Sequence, residues 1–329
     1  MAIIHCGLVP LQNKSINQWL ISLRNDHMNT MKLIYKPIAL VLFILVSASG
    51  MQGQSYKSLN RLNGLNIDTY FSEGSKEQAV HMATLCDSVI SFYKSHIEFQ
   101  PNVTLLVLSP ADWSQYTSFP VYGMPHYPDA QTLVVASHDN DFWKSMLPPL
   151  DKLPKELAKQ ISSTYSDVNN NLTMRGFFDL LAIHELGHAF HEQGKLTMQR
   201  KWMGELFANM YLHTYIAEMK PELLPELTTF PKMVLSSSNR EELRYTTLAE
   251  LEANYDLITQ KYPQNYGWYQ CKWHIASGNI YDEGGIAVFQ KLWEVLKTHT
   301  EPLDDSSFAT LLSNEVHNSV ADVQLNWND

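Results

Sequence analysis

The carboxyl-terminal half of the chain has its hydrophobic residues at helical spacing almost throughout. From about Thr173 onward, apolar residues recur every three or four positions, which is the pattern of a helix with one buried face. Glycine and proline interrupt this pattern, and both residue types commonly end helices. The pattern predicts helices over 174–193, 198–219, 239–260, 265–282 and 285–298, separated by Gly194, Pro221, Pro225, Pro231, Pro263 and Gly284-Gly285.

The preceding part of the chain combines one helical pattern with short apolar runs. Ser75 and Gln78 form a capping-box signal for a helix that continues to about Ile97. Val103–Leu108 and Leu133–Ala136 are short and nearly continuous in apolar residues, which predicts two buried strands. This part therefore has the pattern of a mixed α/β structure.

The distribution of these elements divides the chain into three parts. Residues 1–54 are an amino-terminal extension with an export signal, residues 55–172 form a mixed α/β lobe, and residues 173–329 form a mainly helical lobe. Strand patterns followed by a run of helices are typical of the α+β class. We therefore expect an α+β protein with its functional site in a cleft between the two lobes.

Residues 31–54 have the organisation of a secretory signal peptide. Lys32 and Lys36 precede the apolar run Ile38–Val46, and small residues follow that run. A membrane anchor is the alternative, but this run is far shorter than the roughly 20 residues that a spanning helix needs. We expect translation to begin at Met31 and the mature protein to be exported, periplasmic or extracellular, without a membrane span.

The chain is acidic, with a formal net charge of −10. A surface of that sign repels phosphate groups, so nucleic acid and anionic membranes are not expected as partners. Only Cys86 and Cys271 remain after removal of the signal. One disulfide could join them in an oxidising compartment, but Cys86 lies on the apolar face of its predicted helix, and we favour buried free thiols.

The most specific motif is His-Glu-Leu-Gly-His at residues 184–188. Positions four apart share a face of a helix, so His184 and His188 can reach one metal ion while Glu185 points at the same region. Imidazole nitrogen is a good ligand for Zn²⁺, and a catalytic zinc site keeps one position open for water. A pair of surface histidines on an ordinary helix is the alternative interpretation.

A catalytic zinc site needs a third protein ligand, and Glu205 is the best candidate. His191 and Glu192 lie too far along the helix axis to share one ion with the start of the motif. Glu205 follows the second histidine by 17 residues, which leaves room for another helix to pack beside the first. Its segment is otherwise apolar, where an unpaired charge would be costly. Asn209, one turn later, could accept the outer N–H of a ligating histidine.

These residues resemble the motif of the gluzincins, the thermolysin-like and aminopeptidase-like zinc peptidases. His184, Glu185, His188 and Glu205 match the family pattern, and the order of an α/β lobe followed by a helical lobe agrees with it. Asn209 stands where thermolysin-like members have an Asp. The resemblance implies a zincin-like fold, one zinc ion per chain, and hydrolysis of a peptide or protein substrate.

The resemblance also implies roles in the reaction. Glu185 would take a proton from zinc-bound water and return it to the leaving amine. In aminopeptidase-like members, a tyrosine at the start of a later helix stabilises the transition state. Tyr269 and Tyr266 are the candidates here, and alignment of their helix with the family pattern favours Tyr269. The aromatic stretch that contains them could instead be hydrophobic core.

The family also suggests how the ends of a substrate are recognised. Aminopeptidase-like members have a Gly-x-Met-Glu-Asn stretch whose Glu binds the substrate's free amino group. Here Gly123 and Met124 are followed by Pro125 and His126, so no acid stands beside the methionine, although Asp129 could substitute. We therefore expect cleavage within a chain, with the substrate backbone adding to the edge strand at Leu133–Ala136.

Two functions of other classes stay open. One is a catalytically inactive zincin-fold protein that binds a peptide or a partner, which the intact Glu185 disfavours. The other is a zinc-binding protein with a structural site, and such sites usually have four Cys and His ligands. No cysteine lies near the motif in the sequence, which disfavours that second function.

Overall fold

The structure, a computed structural model, describes residues 56–328. The predicted extension and signal, residues 1–54, and the proposed start at Met31 lie outside the described residues. Across the described part, no helix combines the length and apolar character needed to cross a membrane. The strands are β1 (Asn60–Leu62), β2 (Asp68–Phe71), β3 (Thr104–Leu108) and β4 (Thr132–Ala136). The α-helices are α1 (Lys76–Ile97), α2 (Pro110–Tyr116), α3 (Asp141–Ser145), α4 (Lys155–Tyr165), α5 (Arg175–Gln193), α6 (Lys201–Met219), α7 (Leu224–Ser237), α8 (Leu248–Lys261), α9 (Pro263–Thr298), α10 (Asp305–Leu311) and α11 (Asn318–Leu325).

The strands form one four-stranded sheet in the order β1-β2-β3-β4. Strand β1 is antiparallel to β2, whereas β2, β3 and β4 are mutually parallel. The two strands predicted from apolar runs are confirmed as β3 and β4, whose residues are almost all buried. Strands β1 and β2 were not predicted, because they are only three and four residues long and include polar, exposed positions. The mixed helix and strand content agrees with the predicted α+β class.

The outer edge of β4 is paired with a preceding loop. The backbone N–H of His126 donates to the carbonyl of Val134 at 3.2 Å, and the N–H of Val134 donates back at 2.9 Å. Asp129 accepts the backbone N–H of Thr132 through its Oδ1 atom. The loop therefore occupies the outward backbone groups of Val134, so the predicted pairing of a substrate with this edge could not include Val134 in this structure.

Helix α1 lies where the sequence predicts it, but it begins in a different way. Ser75 is the N-cap residue, yet its side chain makes no capping hydrogen bond. Gln78 instead donates through its side-chain amide to Asp179 of α5 at 2.9 Å. The predicted capping box is therefore wrong, since a contact with another helix uses its second member. Cys86 on this helix and Cys271 on α9 are both buried and free, as favoured.

Two of the predicted helix boundaries are corrected by local contacts. Pro231 lies inside α7, where the sequence predicts a break. The Tyr165 hydroxyl donates to the carbonyl of Glu226 and accepts the N–H of Phe230, so it bridges the helical ladder just before the proline. Helix α8 begins at Leu248 rather than 239, because Thr247 and Glu250 form a capping box.

The predicted interruption at Gly284-Gly285 is present within the long helix α9. Gly285 has φ +59° and ψ −159°, which is not a helical conformation and is accessible mainly to glycine. Helix α9 packs extensively against α6, and α5 packs against α6 on another side. Helices α5, α6 and α9 therefore surround the residues of the predicted site.

Candidate metal centre

Helices α5 and α6 approach each other closely at Gly187. A Cβ atom on this residue would lie 2.9 Å from the Cα of Ala208 and 3.2 Å from its Cβ. The absence of a side chain on Gly187 thus permits the backbones to come together. Ala208 lies one turn beyond Glu205, so the same crossing brings Glu205 against the face that carries the two histidines.

Three side chains converge where the sequence predicts a metal site. The Nε2 atoms of His184 and His188 are 3.1 Å apart. The Oε2 atom of Glu205 is 3.5 Å from Nε2 of His184 and 3.6 Å from Nε2 of His188. These three atoms form a nearly equilateral triangle, and within the described residues no other group of His, Cys, Asp and Glu forms such a cluster.

The size of this triangle fits a small metal ion. The point equidistant from its corners lies about 2.0 Å from each atom, and Zn–N and Zn–O bonds are about 2.0–2.2 Å long. The side chains of His184 and Glu205 are 6% and 2% exposed, and that of His188 is 15% exposed. The donor set of two imidazoles and one carboxylate is typical of catalytic zinc sites, which leave a further position open.

Glu205 is held by three side chains from later helices. Its Oε1 atom accepts hydrogen bonds from the hydroxyls of Tyr255 at 2.5 Å and Tyr266 at 3.1 Å. Its Oε2 atom accepts one from Nε2 of Gln270 at 2.7 Å. These donors fix the carboxylate so that Oε2 faces the histidines. Of the three, only Tyr266 was a candidate from the sequence, and for a different role.

Asn209 joins this network beside His184. Its Nδ2 atom donates to Oε1 of Gln270 at 3.1 Å and to the backbone carbonyl of Glu205. Its Oδ1 atom and Nδ1 of His184 are both buried, and neither has a hydrogen-bond partner in the described structure. Burial lowers the pKa of His184, and the nearby amide of Asn209 opposes this effect only weakly. The predicted hydrogen bond between Asn209 and the outer nitrogen of a ligating histidine is therefore not formed here, although these two unpaired groups are the ones it would join.

His188 has an outer partner of its own. Its Nδ1 atom is 2.9 Å from Nε2 of His191, which lies one turn later on α5 and is buried. His191 is not one of the three clustered ligands, as predicted, because it contacts His188 through the nitrogen that faces away from the cluster. In the sequence, the spacing of three residues between His188 and His191 could have indicated this contact, because residues so spaced are neighbours on a helix.

The charges of the cluster favour an ionised carboxylate. Burial opposes charge on Glu205, but His188 and His184 outweigh that effect and hold the pKa of Glu205 well below its usual value. Burial likewise opposes charge on His188, but the attraction of Glu205 raises its pKa to about 9. Burial lowers the pKa of His184. A metal ion would replace the proton that His188 shares with Glu205.

Glu185 lies beside this cluster and differs from Glu205 in its surroundings. It is 8% exposed, and the described part of the structure contains no hydrogen bond to its carboxylate. Burial raises its pKa to about 7, with His188 opposing and the Glu205 and Glu192 carboxylates adding to the increase. A carboxyl with this pKa can both accept and release a proton near neutral pH.

The two candidate tyrosines occupy different places. The Tyr269 hydroxyl donates to the backbone carbonyl of Thr247 at 2.8 Å, and its ring packs against those of Trp273 and Trp327, which also contact each other. Tyr269 thus belongs to an aromatic core and not to the cluster, which corrects the preference for it. Tyr266 does reach the cluster, but its hydroxyl binds Glu205 from behind.

A further histidine from α9 lies next to the cluster. The ring of His274 is 6.4 Å from that of His184, with an angle of 29° between the planes. Burial lowers the pKa of His274 to about 3. His274 follows Tyr266 and Gln270 at successive intervals of four, so one face of α9 contributes all three residues. His274 was not predicted, since a lone histidine among aromatic residues has no specific signal.

The two residues considered at the position of the amine-binding stretch, His126 and Asp129, make hydrogen bonds within their own loop. The His126 ring is buried, with Nε2 2.6 Å from the Thr117 hydroxyl and Nδ1 donating to the carbonyl of Met124 at 2.9 Å. The Oδ1 atom of Asp129 accepts two backbone N–H groups of its own turn. The His126 ring therefore belongs to the loop structure.

The comparisons with known proteins add no family to this picture. The chain matches no protein-family model and no curated protein at a significant level. Interpretation of the site therefore rests on its own geometry: a carboxylate and two imidazoles at metal-binding distance, with outer partners for Glu205 and His188, and a second buried carboxyl beside them.

Proposed function

We propose that this protein is a zinc-dependent peptidase with a zincin-like fold, in which His184, His188 and Glu205 hold one zinc ion. The observation that carries the proposal is the triangle of three ligand atoms with a radius of about 2.0 Å. The outer partners of His188 and Glu205 support it, because such partners are a regular feature of metal sites. Glu185 beside the cluster favours a catalytic role over a structural one.

The proposed reaction assigns the proton transfers to Glu185. Zinc, when bound, would acidify a water molecule and polarise a carbonyl group. Glu185 accepts a proton from the attacking water and returns it to the nitrogen of the leaving amine. Its pKa of about 7 suits both steps, since the carboxyl changes protonation with little cost near neutral pH. Tyr266, with Tyr255 and Gln270, holds Glu205 in place during the reaction.

We also propose cleavage within a peptide chain rather than removal of its first residue. In the loop that resembles the amine-binding stretch of aminopeptidase-like members, no acidic side chain stands beside Met124. Asp129 of the same loop already accepts two backbone N–H groups through one oxygen. An exported peptidase of this kind would act on peptides or proteins outside the cytoplasm.

The experiment is a cleavage profile on matched peptide libraries with free and acetylated amino ends. Zinc-loaded mature protein should cleave both libraries at comparable rates, and a chelator should abolish both activities. Cleavage of the free library alone would overturn the endopeptidase proposal and make Asp129 the first residue to test. A zinc-loaded protein that cleaves neither library would favour the inactive peptide-binding alternative.

A further inference from the structure

His191 is a buried histidine that contacts the cluster from behind without being a ligand. It is 4% exposed, and its ring meets that of Phe207 edge-on at 5.7 Å. Its Nε2 atom is 2.9 Å from Nδ1 of His188, so one of these two nitrogens must donate a proton to the other. The direction of that hydrogen bond depends on whether Nε2 of His188 carries a proton or presents a lone pair.

The position of His188 determines this direction. Its Nε2 atom faces Nε2 of His184 and the Oε2 atom of Glu205, which is the side where a metal ion would lie. A metal-binding nitrogen must present its lone pair, so the neutral ring of His188 carries its proton on Nδ1. This proton points at Nε2 of His191, which accepts it and must itself be the tautomer protonated on Nδ1.

We propose that His191 is a positioning residue that holds His188 in the metal-binding tautomer and orientation. This inference rests on the proposed zinc site and deepens it, since it assigns the control of one ligand to a third histidine of the same helix. A neutral imidazole accepts the hydrogen bond without adding a charge, whereas a carboxylate there would increase the negative charge of the site. His191 follows His188 by three residues, so the helix itself holds the pair in register.

The alternative is that His191 only fills space between α5 and α6. Both roles predict some loss of stability when its ring is removed, so stability alone does not distinguish them. A hydrogen-bond acceptor, in contrast, can be restored without the ring. The amide oxygen of a glutamine reaches close to the position of Nε2 in histidine, whereas phenylalanine fills the space and offers no acceptor.

The test measures zinc affinity by competition with a chromophoric chelator. His191→Phe should bind zinc about 10- to 100-fold more weakly than the wild type, the range typical of outer partners of metal ligands. His191→Gln should recover most of that loss. His213→Phe is the matched control, because it replaces a buried histidine two turns beyond Glu205 on α6, and its zinc affinity should be unchanged.

A second measurement keeps the inference testable if His191→Phe fails to fold. The long-range ¹H–¹⁵N spectrum of zinc-loaded wild-type protein should show His188 protonated on Nδ1 and His191 accepting through Nε2. Zinc affinity of His191→Phe equal to the wild type, or ligation of His188 through Nδ1, would overturn the role of His191 alone. A wild-type protein that does not bind zinc would overturn the proposed function as well.

Discussion

Glu205 is a buried carboxylate whose two oxygens contact different groups of side chains. Two tyrosine hydroxyls bind Oε1, while Oε2 faces the histidines and accepts one amide hydrogen bond. An ionised carboxylate at 2% exposure would be costly without such partners. At the scale of single residues, the site therefore depends on groups behind the ligands as much as on the ligands themselves.

The tyrosines around the site should separate into two classes when their hydroxyls are removed. Tyr255→Phe and Tyr266→Phe each remove a donor to Glu205 and should weaken zinc binding about 10- to 100-fold. Tyr269→Phe removes only the hydrogen bond to Thr247, so it should cost about 1 kcal/mol of stability and leave zinc binding unchanged. Zinc competition and urea unfolding of the three variants measure both effects, and a large loss of zinc affinity in the Tyr269 variant would contradict this assignment.

The sequence allowed the ligands to be predicted but not most of their partners. His184 and His188 follow from a motif with one helical turn between its members, and Glu205 from an acid in an apolar segment. Tyr255 and Gln270 reach Glu205 from helices 50 and 65 residues later. Such contacts depend on how the helices pack, and no local spacing indicates them.

At the level of secondary-structure elements, the crossing of α5 and α6 determines where the ligands lie. Gly187 lies between the two histidines of the motif and faces Ala208, one turn after Glu205. The close backbone approach and the ligand geometry are consequences of the same crossing. The sequence predicted both helices within a few residues, because their periodic patterns are long and Gly194 separates them.

Gly187→Ala should therefore damage both stability and metal binding. The added Cβ would meet the Ala208 backbone at 2.9 Å, which requires the helices to separate. Overpacking of this kind costs about 1–3 kcal/mol. Gly267→Ala on α9 is the matched control, since no atom lies within 4 Å of its added Cβ, and alanine should stabilise that helix by about 0.5–1 kcal/mol. Urea unfolding and zinc competition should distinguish the pair, and equal zinc affinity in both variants would contradict the importance of this crossing.

At the scale of the whole molecule, short strands and irregular connections were the hardest features to predict. Strands β3 and β4 were found because they are apolar throughout, whereas β1 and β2 are too short and polar to give a pattern. Helix α7 was missed because Pro231 suggested a break, and the compensating contact comes from Tyr165 in a different helix. The proposed lobe boundary at residue 172 and the export signal stay predictions.

Buried neutral histidines should make the folded protein sensitive to mild acid. Burial lowers the pKa of His213 to about 4, with Asp282 opposing and Lys232 adding to the effect. The unfolded chain therefore binds a proton near pH 6.5 that the folded chain rejects until about pH 4. The free energy of unfolding should fall as the pH drops through this window.

His213→Gln should reduce the number of protons taken up on unfolding by up to about one, so the free energy of unfolding should fall less steeply with decreasing pH. Urea unfolding of the wild type and the variant between pH 4 and pH 7.5 gives the two slopes. The curves should run parallel above the window, which serves as an internal control. Identical slopes throughout would show that the pKa of His213 does not differ between the folded and unfolded protein.

In the proposed mechanism, His184, His188 and Glu205 hold a zinc ion, and Glu185 transfers protons beside it. The most direct test of this mechanism counts zinc and measures peptide hydrolysis on the same samples of wild-type protein and Glu185→Gln. We predict about one zinc per chain in both proteins and a loss of turnover of at least about 10²-fold in the variant, because general acid–base groups typically contribute 10²–10⁴-fold. Hydrolysis by Glu185→Gln at the wild-type rate, with its zinc retained, would contradict the account.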